Sequence, residues 1–254
     1  MEEFTVVQET EKSEGEQPQG KWGLVVNQDV CTGCQACVTA CAMENNIPFV
    51  GEEDAAYGRS LHWMRIERFW QGEYPDVQAT PRQPTMCQQC GSAPCEPVCP
   101  VFASVHSQSE QINLQVYNRC VGTRYCANNC PYQVRVFNWR DYTVDLPDIY
   151  ANQFNPDVTV RRRGIMEKCT FCIQRIHRAE DVAKSQGRPV ADGEVEPACV
   201  QACPASALVF GRLDDPESNV SKLTKEKSSY QLLEDLGTLP NVTYLKGGSG
   251  YDHS

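Results

Sequence analysis

The chain has 254 residues, 41% of them apolar, and a formal net charge of −10, which suits one or two packed domains. So acidic a chain lacks the basic face or stripe of a nucleic-acid binder, and no apolar run approaches the ~20 residues that span a bilayer. Its 15 cysteines are the outlier and need a chemical use.

In chain order, residues 1–20 are acidic and rich in Gln. They lack the basic start and apolar stretch of a secretory signal and read as a flexible tail. A strand is predicted at 22–26, ahead of a first cysteine packet, Cys31, Cys34, Cys37 and Cys41. A second packet follows at Cys87, Cys90, Cys95 and Cys99. Ile112, Leu114 and Val116 alternate with polar residues, as in a half-buried strand, before a third packet, Cys120, Cys126 and Cys130. Val134 and Val136 alternate after it, and residues 141–156, rich in Asp, Asn and Pro, read as a connector. Arg161, Arg162 and Arg163 form a basic run. By default it is a solvated face, and otherwise a surface for anionic headgroups or an acidic partner. A helix is predicted over 170–186, with Ile173, Ile176 and Ala183 towards one side and Gly187 as the stop. It falls within the fourth packet, Cys169, Cys172, Cys199 and Cys203, after which 207–210 reads as a strand. A last helix is predicted over 229–236, where Ser228 and Gln231 have capping-box spacing and Gly237 ends the run. Four packets of similar design amount to an internal repeat.

Disulfides, zinc and iron–sulfur clusters are the candidate uses. An odd total leaves one thiol over in a disulfide framework, and stabilising bridges join distant segments rather than near neighbours. All-cysteine zinc sites use two Cys-x-x-Cys pairs, which triplets with an offset fourth cysteine do not match. No Cys-x-x-Cys-His occurs, so there is no c-type haem signal. The histidines, His62, His106, His177 and His253, are not arranged with cysteines in a Rieske-like way and read as surface or packing residues. The first packet is Cys-x2-Cys-x2-Cys-x3-Cys, the bacterial ferredoxin run, whose last cysteine serves a second cluster. Thr32, Gly33 and Ala36 are small enough to let the backbone approach a cube. Pro100, Pro131 and Pro204 follow the last cysteines of packets two, three and four, as in that run, whereas the first packet has Ala42 there.

Four complete packets would hold 16 cysteines, and the chain has 15. In register with the first packet, the third has Thr123 where the second cysteine belongs. A neutral hydroxyl is a poor iron ligand beside a soft thiolate, so a three-iron, four-sulfide cluster is expected, held by Cys120, Cys126 and one cysteine of another packet. The alternative is a fourth iron retained by Thr123 or water.

With these packets the chain resembles the four-cluster ferredoxin subunit of the complex iron–sulfur molybdoenzyme family. Residues 117–139 (YNRCVGTRYCANNCPYQVRVFNW) and 164–176 (GIMEKCTFCIQRI) look most like the iron–sulfur subunits of the sulfate-reducer quinone reductase complex and of alternative complex III. The resemblance implies an α+β fold of two nested ferredoxin-like units, with short strands and helices around cluster-binding loops. The outer unit would span 21–80 plus 160–215 and the inner one 81–140, with a connector at 141–159 and a C-terminal extension at 216–254. It implies three [4Fe–4S] clusters, the first on Cys31, Cys34, Cys37 and Cys203. The second would be on Cys41, Cys169, Cys172 and Cys199, and the third on Cys87, Cys90, Cys95 and Cys130. A [3Fe–4S] cluster would sit on Cys99, Cys120 and Cys126. The wider loop between Cys90 and Cys95 and the insertion between Cys172 and Cys199 depart from the family pattern.

The implied function is that of a non-catalytic electron-transfer subunit joining a redox partner to the menaquinone pool. The implied partners are a large molybdopterin-oxidoreductase-like subunit and a polytopic quinone-binding membrane subunit of the polysulfide-reductase type. A multihaem cytochrome c is admitted as a third. Attachment to the inner membrane would be peripheral, on the periplasmic face. A molybdenum reductase of the polysulfide, nitrate or dimethyl sulfoxide type, or a quinol-oxidising alternative complex III, is the other setting for the same subunit. Arg119, Arg124, Arg135 and Lys168 lie near ligands in sequence, where cations raise a cluster's potential unless they are merely solvated.

Overall fold

A computed structural model of the protein describes residues 20–246, apart from 80, 81 and 145. The tail expected over 1–20 lies, but for Gly20, outside the described residues. The first half runs β1 (Trp22–Asn27), α1 (Ala36–Glu44), α2 (Glu52–Ala56), β2 (Met64–Glu67), β3 (Trp70–Gln71), β4 (Gln78–Ala79), β5 (Gln83–Met86), β6 (Ser104–His106), β7 (Asn113–Gln115) and α3 (Tyr125–Asn128). The second half runs β8 (Val136–Phe137), β9 (Met166–Glu167), α4 (Ile173–Ser185), α5 (Ala198–Gln201), β10 (Leu208–Arg212), α6 (Asn219–Thr224), β11 (Ser229–Tyr230) and β12 (Val242–Leu245). The chain is thus mixed α/β.

The strand expected at 22–26 forms as β1, the spine of a four-stranded sheet in the order β10-β1-β12-β11. It pairs antiparallel with β10 and parallel with β12. Side chains alternate across a strand, and here both faces are covered. Trp22, Leu24 and Val26 enter the main core, while Val25 packs with Val220 and Leu245 in a small second core. Trp22 stacks on Phe210 at 5.3 Å, and Phe171 meets Phe210 edge-on. Such ring pairs add about 0.5–1.5 kcal/mol beyond their burial.

The other strands pair as four two-stranded ribbons, β2 with β5, β3 with β4, β6 with β7, and β8 with β9. Strands β1, β5 and β9 lead into packets one, two and four. β6, β8 and β10 lead out of packets two, three and four. The ribbons β6–β7 and β8–β9 therefore each tie the exit of one packet to the entry of the next. The strand around Ile112–Val116 is present as β7 with both sides covered: Ile112 is fully buried and Leu114 half-buried, and Asn113 and Gln115 are buried as well, 1% and 6% exposed. The inward polar face is satisfied by Arg135, which donates to Asn113 Oδ1 and Gln115 Oε1.

Helix α4 begins three residues later than expected, because Phe171 and Cys172 take left-handed backbone conformations (φ 56° and 53°). Ile176 and Ala183 are buried on its inner side, and Gly187 follows its end at φ 66°. The helix expected over 229–236 does not form. Ser229 and Tyr230 pair with Leu245 and Tyr244 as β11, Leu233 adopts φ 50°, and a 3-10 turn spans Glu234–Leu236 before Gly237 (φ 61°). Sheet pairing and the Tyr230–Tyr244 ring contact outweigh a local capping signature, and Gln231 donates to the Pro240 carbonyl instead. The basic run also divides. Arg161 is buried against Glu167 at 3.0 Å, whereas Arg162 and Arg163 are exposed.

Candidate metal centres

All 15 cysteines are free thiols, ten of them buried, so the disulfide reading has no support. Backbone conformation repeats at each packet. The residue before the second cysteine is left-handed in packets one, two and four: Gly33 (φ 70°), Gln89 (φ 49°) and Phe171 (φ 56°). In packet three the residue at that place is Gly122 (φ 75°), and Thr123 follows it. Thr123 therefore occupies the second-cysteine position of the loop, and like Cys34 it is exposed. A Cβ on Gly122 would run into the Gly164 carbonyl, so glycine is required there for space as well as for φ.

The last cysteines share a second device. Three residues beyond Cys99, Cys130 and Cys203, the chain is left-handed at Phe102, Gln133 and Ser206 (φ 49°, 51° and 48°). The turn aims a backbone N–H back at sulfur: Ala103 donates to Cys99 Sγ at 3.1 Å and Ala207 to Cys203 Sγ at 3.3 Å. Val134 N–H serves Cys130 in the same way. Cys41 is the exception and explains Ala42. Helix α1 continues through Cys41 to Glu44, where a proline ring would break it. Asn45 Nδ2 is the donor to Cys41 Sγ, at 3.6 Å.

These devices bring cysteines of different packets together. Cys31, Cys34, Cys37 and Cys203 line one chamber. Cys41, Cys169, Cys172 and Cys199 line a second, and Cys87, Cys90, Cys95 and Cys130 a third. Cys99, Cys120 and Cys126 surround no such chamber among those described. Cys120 and Cys126 are close enough for their charges to interact, and the Arg135 charge acts on both Cys126 and Cys99. Charge coupling also orders the sets. Cys37 acts on Cys199, Cys87 on Cys169, and Cys95 on Cys126, which strings first to second, second to third, and third to the Cys99–Cys120–Cys126 group.

Burial, then the charges of neighbouring cysteines, raises these thiols: Cys37 to about 11, Cys90 and Cys169 to about 12, and Cys41 and Cys199 well up. Burial also raises Cys99, but the amides of Ser104, Val101 and Ala103 and the Arg135 charge outweigh it and hold that thiol below its usual value. Four thiolates in one dry chamber repel one another, and a cationic iron core is what relieves them. The donor chemistry fits iron–sulfur clusters: soft sulfur ligands gathered in sets of four, and backbone amides aimed at sulfur.

Among the histidines, His62 is exposed, His106 lies 3.6 Å from Glu96, and His177 is paired with Glu110 at 3.0 Å. His253 is outside the described residues. Of the four cations near ligands in sequence, Arg119 and Arg124 are exposed, while Arg135 and Lys168 are buried. Their burial is not legible in sequence, since it depends on β6 and β7 folding over them.

No protein-family model matches the chain. It is 44% identical to the iron–sulfur cluster-binding subunit of menaquinone reductase from Nitratidesulfovibrio vulgaris over 232 residues, 89% of this chain and 88% of the relative. The chain belongs to the iron–sulfur subunits of respiratory oxidoreductases. Other members of this family include a putative dimethyl sulfoxide reductase iron–sulfur subunit of Halobacterium salinarum, 38% identical over 89% of this chain and 79% of the relative. An iron–sulfur subunit of an Hdr-like menaquinol oxidoreductase from Archaeoglobus fulgidus is 35% identical over 90% of this chain and 84% of the relative. No helix among the described residues is long and apolar enough to cross a membrane.

Proposed function

We propose that this chain is the electron-transfer subunit of a membrane-bound quinone reductase complex, relaying electrons between a redox partner and the menaquinone pool. The carrying observation is the row of three chambers, each lined by four cysteines drawn from two packets, with a three-cysteine group beyond the last. In this reading Cys31, Cys34, Cys37 and Cys203 hold a first [4Fe–4S] cluster. Cys41, Cys169, Cys172 and Cys199 hold a second, and Cys87, Cys90, Cys95 and Cys130 a third. Cys99, Cys120 and Cys126 hold a [3Fe–4S] cluster, with Thr123 at the vacant-ligand position. The pairing makes two nested ferredoxin-like units, an outer one over 21–80 and 160–215 and an inner one over 81–140.

When bound, the clusters supply one-electron redox chemistry. The protein's own work is to hold the thiols together, exclude water, and point amides at sulfur. Strands β1, β5 and β9 deliver the chain into packets one, two and four. No catalytic residue is assigned. The partners inferred are a large molybdopterin-oxidoreductase-like subunit at the first-cluster end and a polytopic quinone-binding membrane subunit at the three-iron end, with attachment to the periplasmic face of the inner membrane.

Iron and acid-labile sulfide analysis tests the cofactor reading, with about 15 irons per chain expected from three four-iron clusters and one three-iron cluster. Oxidised protein should give the electron paramagnetic resonance signal of a three-iron cluster near the free-electron position. Its absence from intact protein sinks that assignment. The second reading, service in a molybdenum reductase, is favoured by the similarity to the dimethyl sulfoxide reductase subunit. Molybdenum in the complex purified from membranes would select it.

A further inference from the structure

Among the described residues three basic side chains are buried: Arg161, Arg135 and Lys168, at 2%, 6% and 0% exposure. A buried charge is tolerated only when it is paired. Arg161 follows that rule, with Glu167 at 3.0 Å. Arg135 and Lys168 do not meet a carboxylate. Arg135 Nη2 donates to Ser104 Oγ (2.6 Å), Asn113 Oδ1 (2.7 Å) and Cys95 Sγ (2.9 Å), and its Nη1 donates to Gln115 Oε1 (2.8 Å). Lys168 Nζ donates to the Cys169 carbonyl (3.0 Å), to Gln89 Oε1 (3.5 Å) and to the Asn113 carbonyl. One residue therefore joins the two cations: the Asn113 main chain accepts from Lys168 and its side chain from Arg135.

Their positions along the row are specific. Arg135 lines the third chamber, and its charge also acts on Cys126 and Cys99 of the last group. The charge of Lys168 acts on Cys169 of the second set, while its bonds to Gln89 and Asn113 reach the loop and strand that bound the third. A four-thiolate cube carries net negative charge, and one-electron reduction adds one more unit without making or breaking a bond.

We propose that Arg135 and Lys168 are the counter-charges of the inner clusters, with Lys168 between the second and third and Arg135 between the third and the three-iron cluster, and that they hold these clusters at raised reduction potential. This rests on the cluster reading above. Neutral amides orient sulfur, but a fixed cation favours the reduced state of the clusters it faces. The row is thereby made easier to reduce along its inner stretch, and the effect falls on different neighbours for each cation.

The test is a potentiometric titration of the complex followed by electron paramagnetic resonance, with iron and sulfide measured on every sample. Variants are Arg135→Gln, Arg135→Lys and Lys168→Met. Arg135→Gln should lower the ratio of reduced to oxidised third and three-iron clusters at fixed ambient potential about tenfold, equivalent to about 59 mV for one electron. Lys168→Met should do so for the second and third. Arg135→Lys, which keeps the charge, should stay near wild type. If Arg135→Gln loses iron and Arg135→Lys keeps it, the counter-charge role is again supported. Wild-type potentials in cluster-replete neutral variants overturn the proposal. So does a shift spread equally over all clusters, or loss of iron from Arg135→Lys as well as Arg135→Gln. Wild-type protein without iron and sulfide fails the cluster reading itself, a separate outcome.

Discussion

Gly122 and Gly33 share a left-handed backbone, and the residues after them, Thr123 and Cys34, are both exposed. The loop that carries Thr123 is thus already shaped for a cysteine. Thr123→Cys should convert the proposed three-iron cluster to a four-iron one, raising iron from about 15 to about 16 per chain and abolishing the three-iron signal in oxidised protein. Persistence of that signal would mean the corner is closed by something other than ligand identity. A second residue-scale prediction concerns the pair of His177 with Glu110, whose side chains are 53% and 7% exposed. The bond to Glu110 raises His177 above its usual 6.5, and the bond to His177 lowers Glu110 from 4.5 to about 2. The raised histidine contributes stability below pH 6.5, lost as pH rises through its folded value. The lowered carboxylate contributes above pH 4.5, lost as pH falls through about 2. Both hold between those limits, and solvent screening keeps the gain to about 1 kcal/mol or less. Glu110→Gln should therefore cost more thermal stability at about pH 6 than at about pH 9, and equal losses at the two values would refute the pairing.

At the scale of elements, the contrast between α1 and the three Cys-Pro turns makes a matched pair of tests. Ala42→Pro places a ring inside α1 and should cost about 3 kcal/mol or more, with loss of the second cluster because Cys41 moves. Pro131→Ala leaves a turn whose amide already faces sulfur and should cost about 1 kcal/mol or less. Thermal melts and cluster spectra of the two variants compare them directly, and a milder effect for Ala42→Pro would contradict the account of the helix. Elements that bound a packet were legible because cysteine spacing pins them, as with β1, β10 and α4. Residues 229–236 read as a helix in sequence because Ser228 and Gln231 offer a local signal, while the pairing partners of Ser229 and Tyr230 lie at Leu245 and Tyr244. The inward polar face of β7 was hidden for the same reason, since its partner Arg135 lies 20 residues or more away.

For the whole molecule, the main core contains cysteines from all four packets alongside Trp22, Phe171 and Tyr244. Raised thiols in that core make the iron-free chain self-repelling as soon as they ionise, and metal binding becomes folding free energy when no site exists unfolded. Stripping iron with a chelator under reducing conditions should abolish the cooperative thermal transition, and anaerobic reconstitution with iron and sulfide should restore it. A stripped chain that melts as sharply as the loaded one would show that the protein frame stands alone. The cysteine packets were readable because their members lie close together in sequence, the fourth alone being split, between Cys172 and Cys199. The buried cations were not, since Arg119, Arg124, Arg135 and Lys168 look alike until β6 and β7 cover two of them.

The interleaving of packets has a consequence for synthesis on the ribosome. All cysteines of the third chamber and of the Cys99–Cys120–Cys126 group fall between Cys87 and Cys130, whereas the first chamber waits for Cys203 and the second for Cys199. A nascent chain emerges amino end first, so Cys31, Cys34 and Cys37 are extruded early and remain unpartnered longest. A still later stretch supplies β12, which lies beside β1 in the sheet. Completion of β1 and of the first packet therefore waits until Cys203 and β12 have been made, and a chain halted before them would have its inner ligands delivered and its outer ones stranded.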